Sequence, residues 1–200
     1  MTGNILKLNK FGTKAAMRDH GLTSKKRIGR GVFCAVFEGN TPDSVLKLTA
    51  DWTMRESMVF YFNDPAFPTV LEDYGYVGEQ EEGCSLWLLK TERLTRLRDA
   101  PASVKKEAKF LIKKFDQARM DLYQSGYPLA KDTSSESELL ILEALKQDGA
   151  MSKYEVVLEQ LTVAVSNLPG SRLDFHTGNL MARGNQLVFN DVLCDGARLL

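Results

Sequence analysis

The stretch SRLDFHTGNLM at residues 171–181, followed by QLVFND at residues 186–191, decides how the fold of this chain is interpreted. It places an aspartate, Asp174, five residues before an asparagine, Asn179, in a segment typical of a loop. Two short apolar runs joined by a turn then predict a β-hairpin that ends at a second aspartate, Asp191. Carboxylate and amide oxygens are hard ligands that suit Mg²⁺. The stretch therefore predicts a proton acceptor and two metal ligands close together.

Each polar residue of this stretch also has a structural explanation. Asp174 and Asn179 are typical turn residues, and Asp191 stands where a strand ends. His176 with Asp174 would suit a hydrolytic pair, but no serine stands in the GxSxG context that such enzymes use. We therefore expect His176 to brace the loop or to face a phosphate. Asp195 is the alternative to Asp191 as metal ligand, and we prefer Asp191 because it directly follows the predicted strand.

Length, charge and cysteine content limit the class of protein. Two hundred residues suffice for one domain with a sizeable core or for two small lobes. The 26 basic and 26 acidic residues give a net charge of zero, so the overall charge does not favour a nucleic-acid partner. The three dispersed cysteines, Cys34, Cys84 and Cys194, predict neither a disulfide framework nor a zinc site, and favour a reducing, cytoplasmic compartment. No apolar run suits a membrane span or a signal peptide, so we expect no membrane partner.

Apolar periodicity and turn residues divide the chain into three parts. Residues 1–27 are expected to form a flexible arm or an irregular cap on the first strand. Residues 28–92 predict a β-rich lobe with one short helix over 53–62, and residues 93–200 predict a reduced, mostly helical lobe with a late hairpin. The expected class is therefore α+β with two lobes. The clearest strand signals lie at 32–37, 44–48, 74–77 and 85–89, and the clearest helix signal at 104–122.

A pair of glycines, Gly29 and Gly31, precedes an apolar run that predicts a strand. Glycines allow a backbone turn to approach phosphates closely. A dinucleotide-binding fingerprint would require a following helix, and no GK[ST] sequence of a phosphate-binding loop follows. Cys34 occupies the position of a third glycine. The remaining functional interpretation is a strand–turn–strand flap over phosphates, with an ordinary turn as the alternative.

Lys47 lies on a short apolar strand, where an ammonium group is costly to bury without a partner. The functional interpretation directs Lys47 at nucleotide phosphates, and the alternative is an edge-strand lysine with its charge in water. Glu56 is the first carboxylate of the following helix and is the candidate partner of Lys47. Its spacing from Thr53 also fits a capping box, in which Glu56 would only cap its own helix.

Taken in chain order, the glycine pair, Lys47 and the segment 174–191 resemble the motifs of the eukaryotic-like protein kinase superfamily. Residues 174–181 are most similar to the D-x-H-x-x-N catalytic loop of aminoglycoside- and choline-type kinases. Residues 29–36 resemble the glycine-rich flap, 45–47 the strand with the phosphate-binding lysine, and 88–94 the hinge that meets adenine. The pattern at 179–191 is also similar to the kinase-like early proteins of T7-type bacteriophages.

The resemblance implies a two-lobed kinase fold and a kinase that uses ATP and Mg²⁺ to phosphorylate a hydroxyl group. The resemblance implies that Asp174 accepts the proton of the acceptor hydroxyl and that Lys47 binds the nucleotide phosphates. It also implies that Asn179 and Asp191 bind the metal ion. The other ATP-site residues that it implies are Gly29, Gly31, Glu56 and Met181, the last as the floor of the adenine pocket. The phage similarity favours a protein Ser/Thr kinase that acts on host proteins in the host cytoplasm. The catalytic loop leaves a small-molecule kinase open.

Departures from the kinase pattern keep two other classes open. Leu200 ends the chain nine residues after Asp191, so the activation segment has no counterpart, and we expect either a minimal kinase or a fragment. Together with Cys34, this favours an inactive pseudokinase that serves as a protein-interaction module. A nucleic-acid-contacting regulator that uses the lysines between 105 and 114 ranks last, because such lysines usually form a solvated helix face.

Overall fold

The computed structural model describes residues 6–80, 83–127 and 135–196. Residues 81–82, between the predicted strands at 74–77 and 85–89, and Leu200 lie outside these ranges. The strands are β1 Arg27–Arg30, β2 Cys34–Glu38, β3 Ser44–Thr49, β4 Val70–Glu79, β5 Ser85–Glu92, β6 Thr95–Arg96, β7 Ser171–Leu173, β8 Leu180–Arg183, β9 Gln186–Phe189 and β10 Leu193–Asp195. The helices are α1 Phe11–Asp19, α2 Trp52–Glu56, α3 Ala102–Gln124, α4 Glu136–Gln147 and α5 Glu155–Asn167. The expected α+β class is confirmed: strands dominate the N-terminal lobe and helices the C-terminal lobe.

The N-terminal lobe is an antiparallel sheet in the order β1-β2-β3-β5-β4. Its central strand β3 is buried at every residue, because both faces of the sheet are covered. Leu46 and Leu48 pack into one apolar cluster with Ala16 of α1. Successive side chains of a strand point to opposite faces, so Lys47 points to the other face, where it contacts Met58.

The segment before the first strand is helical where the sequence predicted an arm or an irregular cap. Helix α1 packs on β4, and Leu6, Ala16 and Leu22 are buried in the core of the lobe. A Cβ atom on Gly12 would lie 1.6 Å from the carbonyl oxygen of Glu79, so only glycine permits this approach. The sequence signal is weak because α1 buries only a narrow stripe of small side chains.

The C-terminal lobe packs α3, α4 and α5 around a core that also receives the β8–β9 hairpin. The predicted apolar face of α3 is confirmed, since Val104, Ala108, Leu111 and Phe115 are buried. None of the helices in the described ranges combines the length and apolar character needed to cross a lipid bilayer.

Replacing Leu111 with alanine tests this core. Leu111 is fully buried, and truncating such a leucine leaves a cavity that costs about 3 kcal/mol of unfolding free energy. Denaturant unfolding measures the change. Leu140→Ala on α4 is the matched control, because Leu140 is 41% exposed and its truncation removes less buried surface than that of Leu111. Equal losses in the two variants would contradict this description of the core.

Two contacts join the lobes beside the β5–β6 connection. Strand β6 pairs with β8, where Thr95 stands opposite Ala182. The guanidinium of Arg183 donates from Nε to Oε2 of Glu92 over 2.8 Å and from Nη2 to the carbonyl oxygen of Phe67 over 3.1 Å. The end of β5 is therefore held against the hairpin that leads to Asp191.

Candidate active site

A cleft of about 1200 Å³ lies between the β1–β3 face of the sheet and the C-terminal lobe. Its walls are the β1–β2 hairpin, β3, residues 91–99, the loop of residues 174–179 (the Asp174 loop) and the end of the β8–β9 hairpin. Seven of the eight residues predicted from the sequence line it: Gly29, Gly31, Lys47, Asp174, Asn179, Met181 and Asp191. Side chains that are up to 144 residues apart in the sequence (Lys47 and Asp191) thus face one space.

The β1–β2 hairpin forms the strand–turn–strand flap that the glycines predicted. The backbone N–H of Gly31 donates to the carbonyl oxygen of Cys34 over 2.7 Å and closes the turn. Gly29 stands opposite Val36 in the register, and a Cβ atom there would lie 3.3 Å from the Val36 Cβ. The flap therefore presents backbone rather than bulky side chains at these positions of the cleft wall.

Asn179 holds Asp174 in place across the Asp174 loop. Its Nδ2 donates to the Asp174 carbonyl oxygen over 2.9 Å and to the Asp174 carboxylate oxygen Oδ2 over 2.8 Å. The Asp174 backbone N–H donates to the carbonyl oxygen of Val192 over 2.9 Å. Because Nδ2 is committed to Asp174, Oδ1 is the Asn179 side-chain atom left to bind a cation.

His176 braces the same loop, as the sequence suggested. Its Nδ1 accepts a hydrogen bond from the Gly178 backbone N–H over 3.0 Å, and its Nε2 lies 3.5 Å from Oδ2 of Asp174. A Cβ atom on Gly178 would lie 2.7 Å from the imidazole, so a side chain there would displace His176 from this position. The imidazole thus supports the Asp174 carboxylate from the solvent side.

The β8–β9 hairpin brings Asp191 beside Asn179. Gly184 occupies its turn with a φ of 61°, a conformation that glycine adopts without strain. At the open end, the Asn179 carbonyl oxygen accepts hydrogen bonds from the backbone N–H groups of Asn190, over 2.9 Å, and Asp191, over 3.3 Å. The two predicted metal ligands are therefore joined through the backbone.

Lys47 crosses the cleft to the same hairpin. Its Nζ donates to Oδ1 of Asn190 over 3.1 Å and contacts the Met58 sulfur, and the side chain is buried. Burial raises the pKa of Asp191, the nearby Lys47 opposes that rise, and the Asp174 carboxylate adds to it. Sequence reasoning missed Asn190, although its position directly before Asp191 was a usable signal.

Glu56 is the predicted residue that the structure does not bring to the cleft. Its carboxylate pairs with Arg55, which also binds Asp73 on β4. Helical geometry explains this result: Met54 and Met58, four residues apart, face the sheet, so Glu56 between them points to another side. The proposed pairing of Glu56 with Lys47 is therefore corrected to a contact of Lys47 with Asn190.

Asp51 is a buried carboxylate at the cleft that sequence reasoning missed. Its Oδ1 caps α2 by accepting from the Met54 N–H over 3.0 Å, so the cap is Asp51 rather than Thr53. Its Oδ2 accepts from the Asp195 N–H over 3.2 Å and ties α2 to β10. Burial, with the nearby Asp191 adding to it, raises the pKa of Asp51 to about 7. An aspartate directly before a helix was the available signal.

The raised pKa of Asp51 predicts a pH-dependent effect of Asp51→Asn. A carboxyl group with a raised pKa in the folded state makes stability fall as the pH rises from its unfolded pKa, 3.8, to about 7. The amide cannot ionise, so relative to the parent the variant should gain about 2 kcal/mol of unfolding free energy between about pH 5 and about pH 8. Denaturant unfolding without nucleotide or divalent metal measures it.

Asp43→Asn on the exposed turn before β3 is the matched control for this measurement. At both pH values, the difference in unfolding free energy between the control variant and the parent should be the same. An Asp51→Asn effect that is the same in acid and in alkali would contradict a buried, ionising carboxyl group at this position.

The donor set fits a Mg²⁺ ion that is shared with phosphates. Within the described ranges, no group of three His, Cys, Asp or Glu side chains is placed to hold a metal ion. Mg²⁺ is usually held by one or two protein oxygens together with waters and substrate phosphates. Asn179 Oδ1 and the Asp191 carboxylate supply two such oxygens, and Asp195, the alternative, does not line the cleft.

Comparisons with known proteins gave structural similarities at low identity. No protein-family model matches the chain, and no curated protein matches it. The crystal structure of the aminoglycoside phosphotransferase APH(4)-Ia is similar with a TM-score of 0.37 and 15% identity, over 92% of this chain and 74% of that chain. A thermostable mutant of that protein in a ternary complex with ADP and hygromycin B is similar with a TM-score of 0.37 and 14% identity, over 96% of this chain and 74% of that chain.

Proposed function

We propose that the protein is an ATP- and Mg²⁺-dependent phosphotransferase that moves the γ-phosphoryl group to a hydroxyl. The observation that supports this function is the convergence of Lys47, Asp174, Asn179 and Asp191 on one cleft. A structural lysine or turn aspartate has no need of the other three. Phosphoryl transfer needs all four, because catalysis there consists of positioning and charge stabilisation.

Each residue has one task in the proposed reaction. Asp174 accepts the proton of the acceptor hydroxyl. The hydroxyl oxygen forms a bond to the γ-phosphorus, while the bond between that phosphorus and the β–γ bridging oxygen breaks and ADP is released. Lys47 contacts the phosphates, and Asn190 holds the ammonium group in the cleft. Asn179 and Asp191 would hold Mg²⁺, which neutralises charge on the phosphate oxygens when bound. The flap with Gly29 would cover the phosphates.

We further propose that the adenine lies between the flap and Met181. Met181 lines the cleft on β8, where it stands opposite Arg96 of β6. Arg96 in turn donates to the carbonyl oxygen of Ile28 on the flap. Of the segment 88–94, which stands in the place of a kinase hinge, residues 91–94 line the same cleft.

The acceptor that we favour is a protein Ser/Thr side chain, with a phage kinase acting on host proteins as the biological setting. This choice rests on the sequence pattern at 179–191. A small-molecule kinase is the second candidate, because the Asp174 loop has the D-x-H-x-x-N form. An inactive interaction module is the third, supported by the absence of Glu56 from the cleft lining within the described ranges.

Labelled ATP separates these candidates. Purified protein is incubated with γ-labelled ATP, with and without Mg²⁺, together with a protein mixture or with a pool of hydroxylated metabolites. We expect labelled protein that depends on Mg²⁺. Labelled metabolites without labelled protein would favour the second candidate. Nucleotide binding without any transfer, to an acceptor or to water, would contradict the phosphotransferase.

A further inference from the structure

Three lysines form a stripe on α3 that leads away from the Asp174 loop. Lys105, Lys109 and Lys113 recur every four residues, so they share one side of the helix. Lys105 and Lys109 line the cleft that contains Asp174. Lys109 and Lys113 line a second, open groove of about 370 Å³, where Thr177 of the Asp174 loop is the facing wall. The two spaces share Lys109 and Thr177 and are therefore adjacent, and together they define the path along α3.

The stripe is costly to the folded protein in the absence of a partner. Like charges four residues apart on a helix repel each other. Within the described residues, none of the three lysines has an ion pair, whereas Lys114 on the same helix pairs with Asp148 over 2.6 Å. Lys114 is therefore neutralised by the fold, whereas the stripe lines the cleft and the second groove without an ion-pair partner in the described part of the chain and is available there to bind an external anion.

The α3 helix holds this stripe at a fixed position relative to Asp174. The ring of Phe115 stacks on that of Phe175, the residue after Asp174, with centroids 3.5 Å apart. Arg119 donates from Nη2 to the carbonyl oxygen of Leu173 over 2.9 Å. The residues on both sides of Asp174 are therefore attached to α3, and the distance from Asp174 to the lysines does not depend on a mobile element.

We propose that the acceptor is an extended, acidic protein segment that lies along this path, with carboxylates on the lysine stripe and its Ser/Thr hydroxyl at Asp174. This inference rests on the proposed phosphotransferase function. Successive lysines are about 6 Å apart along the helix axis, and alternate residues of an extended chain are about 6.6 Å apart. Carboxylates at alternate positions of the segment therefore match the spacing of Lys105, Lys109 and Lys113.

The lining of the second groove favours a peptide over a nucleic acid. Single-stranded nucleic acids are usually bound by basic grooves with aromatic side chains on which bases stack. Here the apolar lining residues are Ile112 and Met120, and the carboxylate of Asp116 also lines the groove. Asp116 would repel a continuous chain of phosphates but leaves room for a peptide whose acidic residues end before it. The same basic stripe disfavours a cationic acceptor.

A pair of short synthetic peptides tests the inference. Both carry a central serine, one with glutamate and the other with glutamine at alternate positions. We expect kcat/KM for the glutamate peptide to exceed that for the glutamine peptide by about tenfold at low salt, because each exposed ion pair contributes little and three act together. In the double variant Lys109→Glu and Lys113→Glu, this ratio should fall to about one or below, and a lysine peptide should become the better substrate.

Lys106→Glu is the matched control, because Lys106 is an exposed lysine of the same helix that lines neither space. It should keep the parent's preference for the glutamate peptide. Equal kcat/KM for the two peptides in the parent, or loss of the preference in Lys106→Glu, would overturn the inference while the phosphotransferase function stands. Suppression of the preference by single-stranded RNA at concentrations that leave peptide-free ATP turnover unchanged would assign the stripe to nucleic acid instead. Absence of Mg²⁺-dependent ATP turnover with any acceptor, including water, would contradict the proposed function itself.

Discussion

Replacing Asp174 with asparagine is expected to lower the rate of phosphoryl transfer by about 10³-fold and to leave nucleotide affinity nearly unchanged. The amide cannot accept the proton of the acceptor hydroxyl. It can still accept the hydrogen bond that Asn179 Nδ2 makes to Oδ2 over 2.8 Å, so the Asp174 loop should keep its shape. Single-turnover transfer from labelled ATP measures the rate, and titration with a fluorescent ATP analogue measures affinity.

The control for this experiment is Asp121→Asn, the same substitution on the exposed surface of α3. Asp121 accepts a hydrogen bond from Gln117 Nε2 over 2.7 Å, which the amide oxygen can also accept. The control should transfer phosphate at the parent rate. Retention of more than about a tenth of the activity in Asp174→Asn would remove Asp174 from the role of proton acceptor.

Replacing Asp191 with asparagine is expected to reduce activity without reducing the stability of the folded protein. The nucleotide site should lose its response to Mg²⁺, with activity reduced by about 10²–10³-fold, because a ligand of the charge-neutralising ion is gone. The free protein should be at least as stable as the parent at alkaline pH. Burial raises the pKa of Asp191, so its ionised form costs stability above that pKa, and the amide does not carry this cost.

Thermal unfolding with ADP, with and without Mg²⁺, measures both parts of this prediction. The parent should show an added rise in Tm when Mg²⁺ accompanies ADP, and Asp191→Asn should not. Asp195→Asn is the matched control, because Asp195 lies four residues on but outside the cleft lining. If Asp195→Asn loses the Mg²⁺ response and Asp191→Asn keeps it, the metal assignment moves to Asp195. A less stable Asp191→Asn protein would indicate a structural aspartate.

The buried charges of the cleft explain why these variants differ in their expected effects. Lys47 and Asp51 each interact electrostatically with Asp191. Burial raises the pKa of both carboxyl groups, and Lys47 offsets only part of this rise at Asp191. A cation bound near Asp191 would lower the free-energy cost of its buried negative charge. We therefore expect Mg²⁺ with nucleotide to stabilise the folded protein.

Local patterns in the sequence determined much of the fold. The short apolar run at 44–48 predicted a strand, and β3 spans Ser44–Thr49. The apolar face of α3 follows from a periodicity of 3.6 residues, and the structure confirms it. The turn at Gly184, with a φ of 61°, follows from the backbone freedom of glycine. The motif order around Asp174 predicted which side chains would meet, because each residue type suits one task in phosphate chemistry.

The tertiary structure alone decided the partners of the buried charges. Lys47 has nearby carboxylates in the sequence, yet its ammonium group reaches Asn190, 143 residues away, because α2 turns Glu56 towards Arg55. Asp51 became a link between α2 and β10 in the same way. Sequence determines which side chains can carry charge and which face of an element they occupy. The packing of the two lobes decides which charges meet, since a buried charge takes whichever polar group the neighbouring element brings within hydrogen-bonding distance.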